Sequence, residues 1–444
     1  MNGTLSRRVF LKMAAVTTAG AWLAACQAPA PAATTEGQEA SAPSQETKVV
    51  TFTMYGHPGL IEQMVPIFNE EHPDIEVQFE RSEGQGYWEK LSAAMAGGTA
   101  WDCFRGDQAR ALNWGPKGAI VNVADFIAQD TEYPAEDYIP GVVDAYNVGG
   151  SIYAVPAWCL TMWMYYNKNL FDEAGLAYPT PEMTWDEYVA AAEKLTKREG
   201  DRITQFGAAG WQSWTFPVAQ LVWSNGGHFY YNDDLTKVAV DDPKTVAVLQ
   251  DLADLVHVQK VSPNPTVPAS SPVGILSENV ATQGDGDWLP WDNNEVFTAK
   301  SEYLDATLCP SFGGQRSNIY WPDGMLINST SKVPDAAYQW LAWFARDPKS
   351  TAIQCKVVFP VYNEAYTNEA IRSTWLVAPR PPGMIAAAAE HAAHAQIWTV
   401  ETHINDIDTI YYNEIGALWG GNADAATVAA KITEAGNEAM AKSA

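Results

Sequence analysis

From Lys48 onward the apolar pattern of this chain switches repeatedly between a period of two and a period near 3.6, and that alternation restricts its fold most. Lys48 to Tyr55 reads as a strand, closed by Gly56-His57-Pro58-Gly59. Leu60, Ile61, Met64, Val65, Ile67 and Phe68 then recur at helical spacing. Ile75 to Glu80 alternates apolar and polar side chains as a second strand, Tyr87 to Ala96 is helical and stopped by Gly97-Gly98, and Trp101 to Phe104 forms a short third strand. Strands separated by helices pair in parallel through crossover connections, so the body is an α/β structure.

The pattern continues down the chain. Ser151 to Pro156 is extended. Thr184 and Glu187 form a capping box that opens a helix carrying Tyr188, Ala192 and Leu195. Another helix begins at Pro243, with Val246, Leu249, Leu252 and Val256 on one face; Val333 to Arg346 repeats the pattern, and Asp424 to Lys442 closes the chain as an amphipathic helix. No internal repeat is visible. Roughly 400 residues after the N-terminal region exceed one ordinary core and suit two domains.

The first residues read as an address. Ser6-Arg7-Arg8-Val9-Phe10-Leu11-Lys12 precedes an apolar stretch from Met13 to Ala25, an export signal of the twin-arginine type. Leu23-Ala24-Ala25-Cys26 resembles a lipobox, which implies cleavage before Cys26 and lipid on that cysteine. Thirteen apolar residues fall short of the roughly 20 that span a bilayer. Residues 1–25 are thus read as a signal peptide. Residues 26–47, rich in Ala, Pro, Thr, Ser, Gln and Glu, are read as a flexible tether that cannot bury enough surface to offset its ordering entropy.

The formal net charge is −26, with 27 basic residues against 53 acidic ones. Nucleic-acid binding rests on neutralising phosphates with Lys and Arg, so that class is excluded. Cys103, Cys159, Cys309 and Cys355 remain once Cys26 is lipidated; outside the cytoplasm they are permitted to pair, and the spacing leaves the pairing open. No Cys-x-x-Cys, His-Glu-x-x-His, phosphate loop or Gly-x-Ser-x-Gly elbow is present. His391 and His394 lie at i, i+3 and read as an exposed polar helix face, and Asp285-x-Asp287 lacks the later ligands of a calcium loop. No metal or cofactor is expected.

Several segments resemble the family 1 extracellular solute-binding proteins of ABC importers, the sugar-binding lipoproteins related to maltose-binding protein. They are Trp101-Asp102-Cys103-Phe104 followed by Asp107, Tyr153-Ala154-Val155-Pro156, Tyr165-Tyr166-Asn167-Lys168-Asn169-Leu170-Phe171, Thr184-Trp185-Asp186-Glu187-Tyr188 and Gly284-Asp285-Gly286-Asp287-Trp288. Trp101 departs from the family's proline, which leaves the start of the third strand open, and Ser373 to Glu401 matches nothing. The resemblance implies a two-lobe periplasmic-binding-protein-like fold of type II, with a ligand cleft between lobes joined by three hinge crossings. The crossings are placed near Ala154–Pro156, Ala306–Pro310 and Val358–Val361. Lobe one would be residues 48–155 and 311–357, and lobe two residues 156–310 and 358–444.

A sugar offers hydroxyls to polar side chains and C–H faces to aromatic rings, so its cleft needs Trp and Tyr platforms flanked by carboxylates and amides. Loops at the carboxyl ends of strands are where open α/β sheets hold ligands. They carry Tyr55, His57, Glu83 and Asp107; further loops carry Trp158, Trp211, Trp214, Asp287, Trp288, Trp321 and Asp323. These are the expected ligand contacts, whereas Trp185 and Trp340 lie in helical patterns and are expected in the core. The expected function is a lipid-anchored, monomeric, extracytoplasmic receptor that captures a carbohydrate, with an oligosaccharide favoured, and delivers it to an ABC permease without catalysis. Alternatives are a receptor for a polyamine, peptide or amino-sugar, or an extracellular glycoside hydrolase. The anchor is directly testable. Cys26→Ser should shift the mature protein from the membrane to the soluble fraction, and mass analysis of the wild type should find an acylated N-terminus at Cys26; a mature chain retaining Met1 would contradict the lipobox.

Overall fold

A computed structural model describes residues 46–82, 86–269, 272–313 and 315–442. The expected signal peptide, Cys26, most of the expected tether and Glu83 therefore lie outside the described residues. Ten strands form one mixed sheet: β1 (Lys48–Met54), β2 (Ile75–Arg81), β3 (Cys103–Gly106), β4 (Val155–Asn167), β5 (Lys197–Glu199), β6 (Arg202–Ala209), β7 (Val280–Gly286), β8 (Leu304–Thr307), β9 (Asn318–Ile327) and β10 (Ala395–Ile397). The main path runs β2-β1-β3-β9-β4-β7-β6-β5, with β8 beside β4 and β10 beside β9. The opening strands pair in parallel as the alternation requires: β1 lies against both β2 and β3. β3 begins two residues later than the sequence pattern placed it, because Trp101 sends its Nε1 outward to Glu80 (2.9 Å) and Asp102 turns to accept from Thr51.

The two ends of the sheet are joined by β4 and β9. The first half of β4 pairs antiparallel with β9, Val155 opposite Met325 through Thr161 opposite Tyr320; its second half pairs with β7 and β8. β9 in turn pairs with β3 at Gly324–Ile327 and with β10 at Asn318–Tyr320. A third segment lies alongside, where Cys159 and Phe359 exchange backbone hydrogen bonds of 2.7 and 3.0 Å. Near the expected crossing at 306–310, Ser311 bridges Thr184, and Phe312 stacks on Trp185 with centroids 4.9 Å apart.

Each end has its own aromatic core. Around β1, the helix Pro334–Arg346 buries Trp340, which meets Phe52 and Phe68 edge-on at 5.6 and 5.1 Å. Around β6 and β7, the helices Thr215–Ser224, Pro243–His257, Ile404–Trp419 and Ala425–Lys442 enclose a second cluster. The capping box at Thr184 and Glu187 forms as expected, and Trp185 and Trp340 are buried. His391 is a correction to the reading of an exposed face: it is fully buried, stacked on Trp163 at 4.4 Å, and burial lowers its pKa to about 3. Cys103, Cys159, Cys309 and Cys355 are free and buried.

Trp211, expected in the cleft, is a core residue. It is fully buried; its Nε1 donates to Tyr188 Oη at 2.6 Å, and that oxygen lies 2.9 Å from Thr282 Oγ1. Its ring presses against Gly284, where an added Cβ would come within 2.7 Å, so β7 must be bare there. A loop indole resembles a ligand platform in sequence, but here the loop folds inward because the Tyr188 hydroxyl satisfies its one donor. Trp211→Ala should cost about 3–5 kcal/mol of unfolding free energy in urea titration; a loss below about 0.5 kcal/mol, typical of surface positions, would contradict this placement.

Candidate functional site

One face of the sheet, where its two ends join, forms the floor of a cavity of about 490 Å³. Residues directly opposite one another on antiparallel strands share a face. Trp321 stands opposite Leu160, Asp323 opposite Trp158, and Arg105 opposite Met325. Side-chain alternation thus brings Arg105, Trp158, Leu160, Trp321 and Asp323 to one side although they are scattered along the sequence. The end of β1 contributes Met54, Tyr55 and His57 to the wall, and the turn after β7 contributes Trp288 and Asp292. Trp288 reaches the cavity because β7 ends in Gly286: a Cβ there would lie about 2.1 Å from the indole. Trp214 closes the aromatic wall, edge-on to Trp288 at 5.5 Å.

The cation in this wall is neutralised from below. Arg105 Nε donates to Asp323 Oδ2 at 2.7 Å, and its Nη2 pairs with the same carboxylate. The guanidinium also lies 4.1 Å from the Tyr55 ring and 5.4 Å from Trp158, and donates to the Tyr55 carbonyl. Burial pushes the Asp323 carboxyl up to about 6 against the pull of Arg105. Across the cavity, His57 Nδ1 lies 3.7 Å from Asp292. Burial lowers the His57 pKa, with Asp292 opposing, so the imidazole is neutral at pH 7. A wall of aromatic rings with one internally paired cation suits a ligand of low net charge.

A second cavity of about 220 Å³ adjoins the first, and Trp214 and Trp321 line both. Asp107, Gln108, Phe216, Trp398, Asp408 and Tyr412 are among its other lining residues. Asp107 caps the helix Gln108–Trp114, accepting from Arg110 N at 2.8 Å, and pairs with the Arg110 side chain.

Of the expected contacts, Tyr55, His57, Trp158, Trp214, Trp288 and Trp321 come together around the first cavity, and Asp107 lines the second. Asp323 and Asp287 are corrected to supporting positions: they are 2% and 1% exposed. Asp323 sits beneath Arg105. Asp287 accepts from Thr161 N at 3.1 Å, and burial pushes its carboxyl up to about 7. Asp323 shares the cavity face but is covered by Arg105, and Asp287, in the turn after β7, bonds back to β4. Arg105, Leu160, Phe344 and Trp398 had no place among the expected contacts. Strand register is what brings Arg105 and Leu160 to the cavity, and Trp398 belongs to a segment whose sequence carries no motif. Among the described residues no group of His, Cys, Asp and Glu is arranged to hold a metal ion, and no helix is long and apolar enough to cross a membrane.

Residues 56–349 match the family model of the bacterial extracellular solute-binding proteins. An arabinooligosaccharide-binding protein from Halalkalibacterium halodurans is 27% identical over 228 residues, covering 49% of this chain and 47% of that one. The chain therefore spans about half the length of this relative. An sn-glycerol-3-phosphate-binding periplasmic protein from Agrobacterium fabrum is 25% identical over 366 residues, 76% of this chain and 79% of its own. Among solved structures, an ABC substrate-binding protein from Listeria monocytogenes in complex with cycloalternan superposes with a TM-score of 0.77 at 22% identity, covering 89% of this chain and 100% of that one. The sugar-binding protein MalE from Xanthomonas citri gives 0.75 at 15% identity, over 89% and 98%. The fold is the two-lobe α/β fold of periplasmic binding proteins.

Proposed function

The chain belongs to the bacterial extracellular solute-binding protein family, and we propose that it captures a carbohydrate outside the cytoplasm and presents it to an ABC permease. The observation that carries this reading is the cavity itself. Trp158, Trp214, Trp288 and Trp321 surround about 490 Å³ in which the one cation is already paired. Such rings supply apolar area to sugar C–H faces at low entropic cost. The adjoining cavity behind Trp214 and Trp321 gives room for a second unit, which favours an oligosaccharide over a single sugar. The arabinooligosaccharide and cycloalternan ligands named for its relatives point the same way.

In this reading no bond is made or broken, and Cys26 holds the receptor at the membrane by lipid. The lobes comprise residues 48–155 with the later part of β9 through residue 357, and the intervening and C-terminal segments. They would hinge where β4, β9 and Phe359 run side by side. Ligand favours closure because it touches both lobes only when they approach, through residues such as Tyr55 and Trp288.

A thermal-shift screen of neutral mono- and oligosaccharides, uronates, glycerol phosphate, polyamines and peptides tests the ligand class. A neutral sugar should raise the melting midpoint most; a response confined to glycerol phosphate or peptides would overturn the proposal. For the sugar so identified, Trp288→Ala should weaken calorimetric affinity by roughly 2 kcal/mol or more, as loss of a buried aromatic anchor does, while the ligand-free melting midpoint changes little. Normal affinity in a strongly destabilised variant would make Trp288 structural instead.

A further inference from the structure

Among the described residues that line the first cavity, Arg105 is the only Lys or Arg. Its guanidinium is held without any acid. It lies 4.1 Å from the Tyr55 ring and 5.4 Å from Trp158, and Nη1 donates to the Tyr55 carbonyl at 3.2 Å. Asp323 is nonetheless placed beneath it, accepting from Nε at 2.7 Å and pairing with Nη2. The Arg105 side chain is 12% exposed and that of Asp323 only 3%. A ligand in the cavity therefore meets the guanidinium, and the carboxylate acts on that ligand through it.

A guanidinium at the wall of an aromatic cavity is by itself a site for carboxylate or phosphate, which it can bond through two N–H groups at once. Burying a carboxylate beside it costs desolvation that the pair barely recovers. What Asp323 changes is the field a ligand meets. An anion reaching Arg105 would find the positive charge already matched, and would stand close to a second negative charge where water screens little. Across the cavity His57 is neutral and Asp292 is acidic, so neither supplies a cation in compensation. A sugar hydroxyl can accept from the guanidinium without that repulsion. We infer that Asp323 is a specificity-determining residue: by neutralising Arg105 it makes the first cavity reject carboxylate and phosphate ligands and reserves it for uncharged sugar units. The discrimination works by a penalty on the wrong ligand. This rests on the carbohydrate reading above and narrows it.

Calorimetry at pH 8 tests it, where Asp323 is ionised because burial raises its carboxyl only to about 6. The probes are the neutral trisaccharides of β-1,4 glucose, β-1,4 mannose and α-1,4 galactose, each beside its fully oxidised uronate counterpart, and glycerol beside sn-glycerol 3-phosphate. Whichever unit of a uronate enters the cavity, it brings a carboxylate. The wild type should bind a neutral trisaccharide at least roughly tenfold tighter than its uronate, the scale of a like-charge clash in a desolvated site. Asp323→Asn should lower that ratio at least roughly tenfold and gain binding of glycerol phosphate. Arg105→Gln leaves Asp323 unpaired, so the ratio should rise instead; this variant decides the matter if melting curves show that Asp323→Asn does not fold. A wild type that binds a uronate as tightly as its neutral counterpart, or a ratio that neither variant moves, would overturn the role of Asp323 and leave the carbohydrate reading intact. Failure of every trisaccharide to bind would count against the carbohydrate reading. Glycerol phosphate then decides alone: binding gained in Asp323→Asn supports the exclusion of anions, and no gain overturns it.

Discussion

The structure depends on a pair of strands that belong to both of its halves. β4 runs for thirteen residues and is almost wholly buried along its length. Its first half is bonded to β9 and its second to β7 and β8. Two lobes must be joined without exposing unpaired backbone, and a shared sheet does so. The hydrogen-bond ladder passes through the join unbroken except for a register shift at Asp323/Gly324. The cavity sits on that join, so its floor residues are held by the same ladder that links the halves. Bending the join must move Trp158 and Leu160 relative to Tyr55 and Trp288, which makes ligand contact and lobe position parts of one equilibrium.

The electrostatics follow from the same placement. Arg105 reaches the cavity from β3, and Asp323 meets it from β9 across the sheet. A buried pair of this kind adds little net stability, but breaking it leaves an isolated buried charge. Its consequence for function is neutrality: the first cavity presents a guanidinium already satisfied by carboxylate, carbonyl and ring. The acidic character of the chain, with its net charge of −26, enters the first cavity at Asp292, 3.7 Å from the His57 ring.

Much of the fold was legible. The period of the apolar residues located β1, β2, the helices Pro58–Glu71, Pro334–Arg346 and Ala425–Lys442, and the capping box at Thr184. β4 was not legible beyond its first residues, because a strand buried on both faces has no alternation to read. The packing near the expected crossing was not legible either: Pro310 marks a connection, and only the structure shows Phe312 stacked on Trp185. Aromatic loop residues identified the cavity in outline. Trp288 and Trp211 look alike in sequence, and only their glycine neighbours in space and the Tyr188 hydroxyl separate platform from core. Asp287 and Asp323 read as ligand contacts because a carboxylate beside an aromatic in a loop usually faces solvent. Arg105 covers Asp323, and the turn after β7 brings Asp287 back to the Thr161 amide.

The central claim is that binding and closure are coupled through the shared strands. Small-angle scattering on the mature protein, with and without a saturating concentration of the sugar that gives the largest thermal shift, tests it most directly. The account requires the radius of gyration to fall on saturation, as a two-lobe body closes around its ligand. An unchanged radius at a concentration where calorimetry shows full occupancy would contradict it.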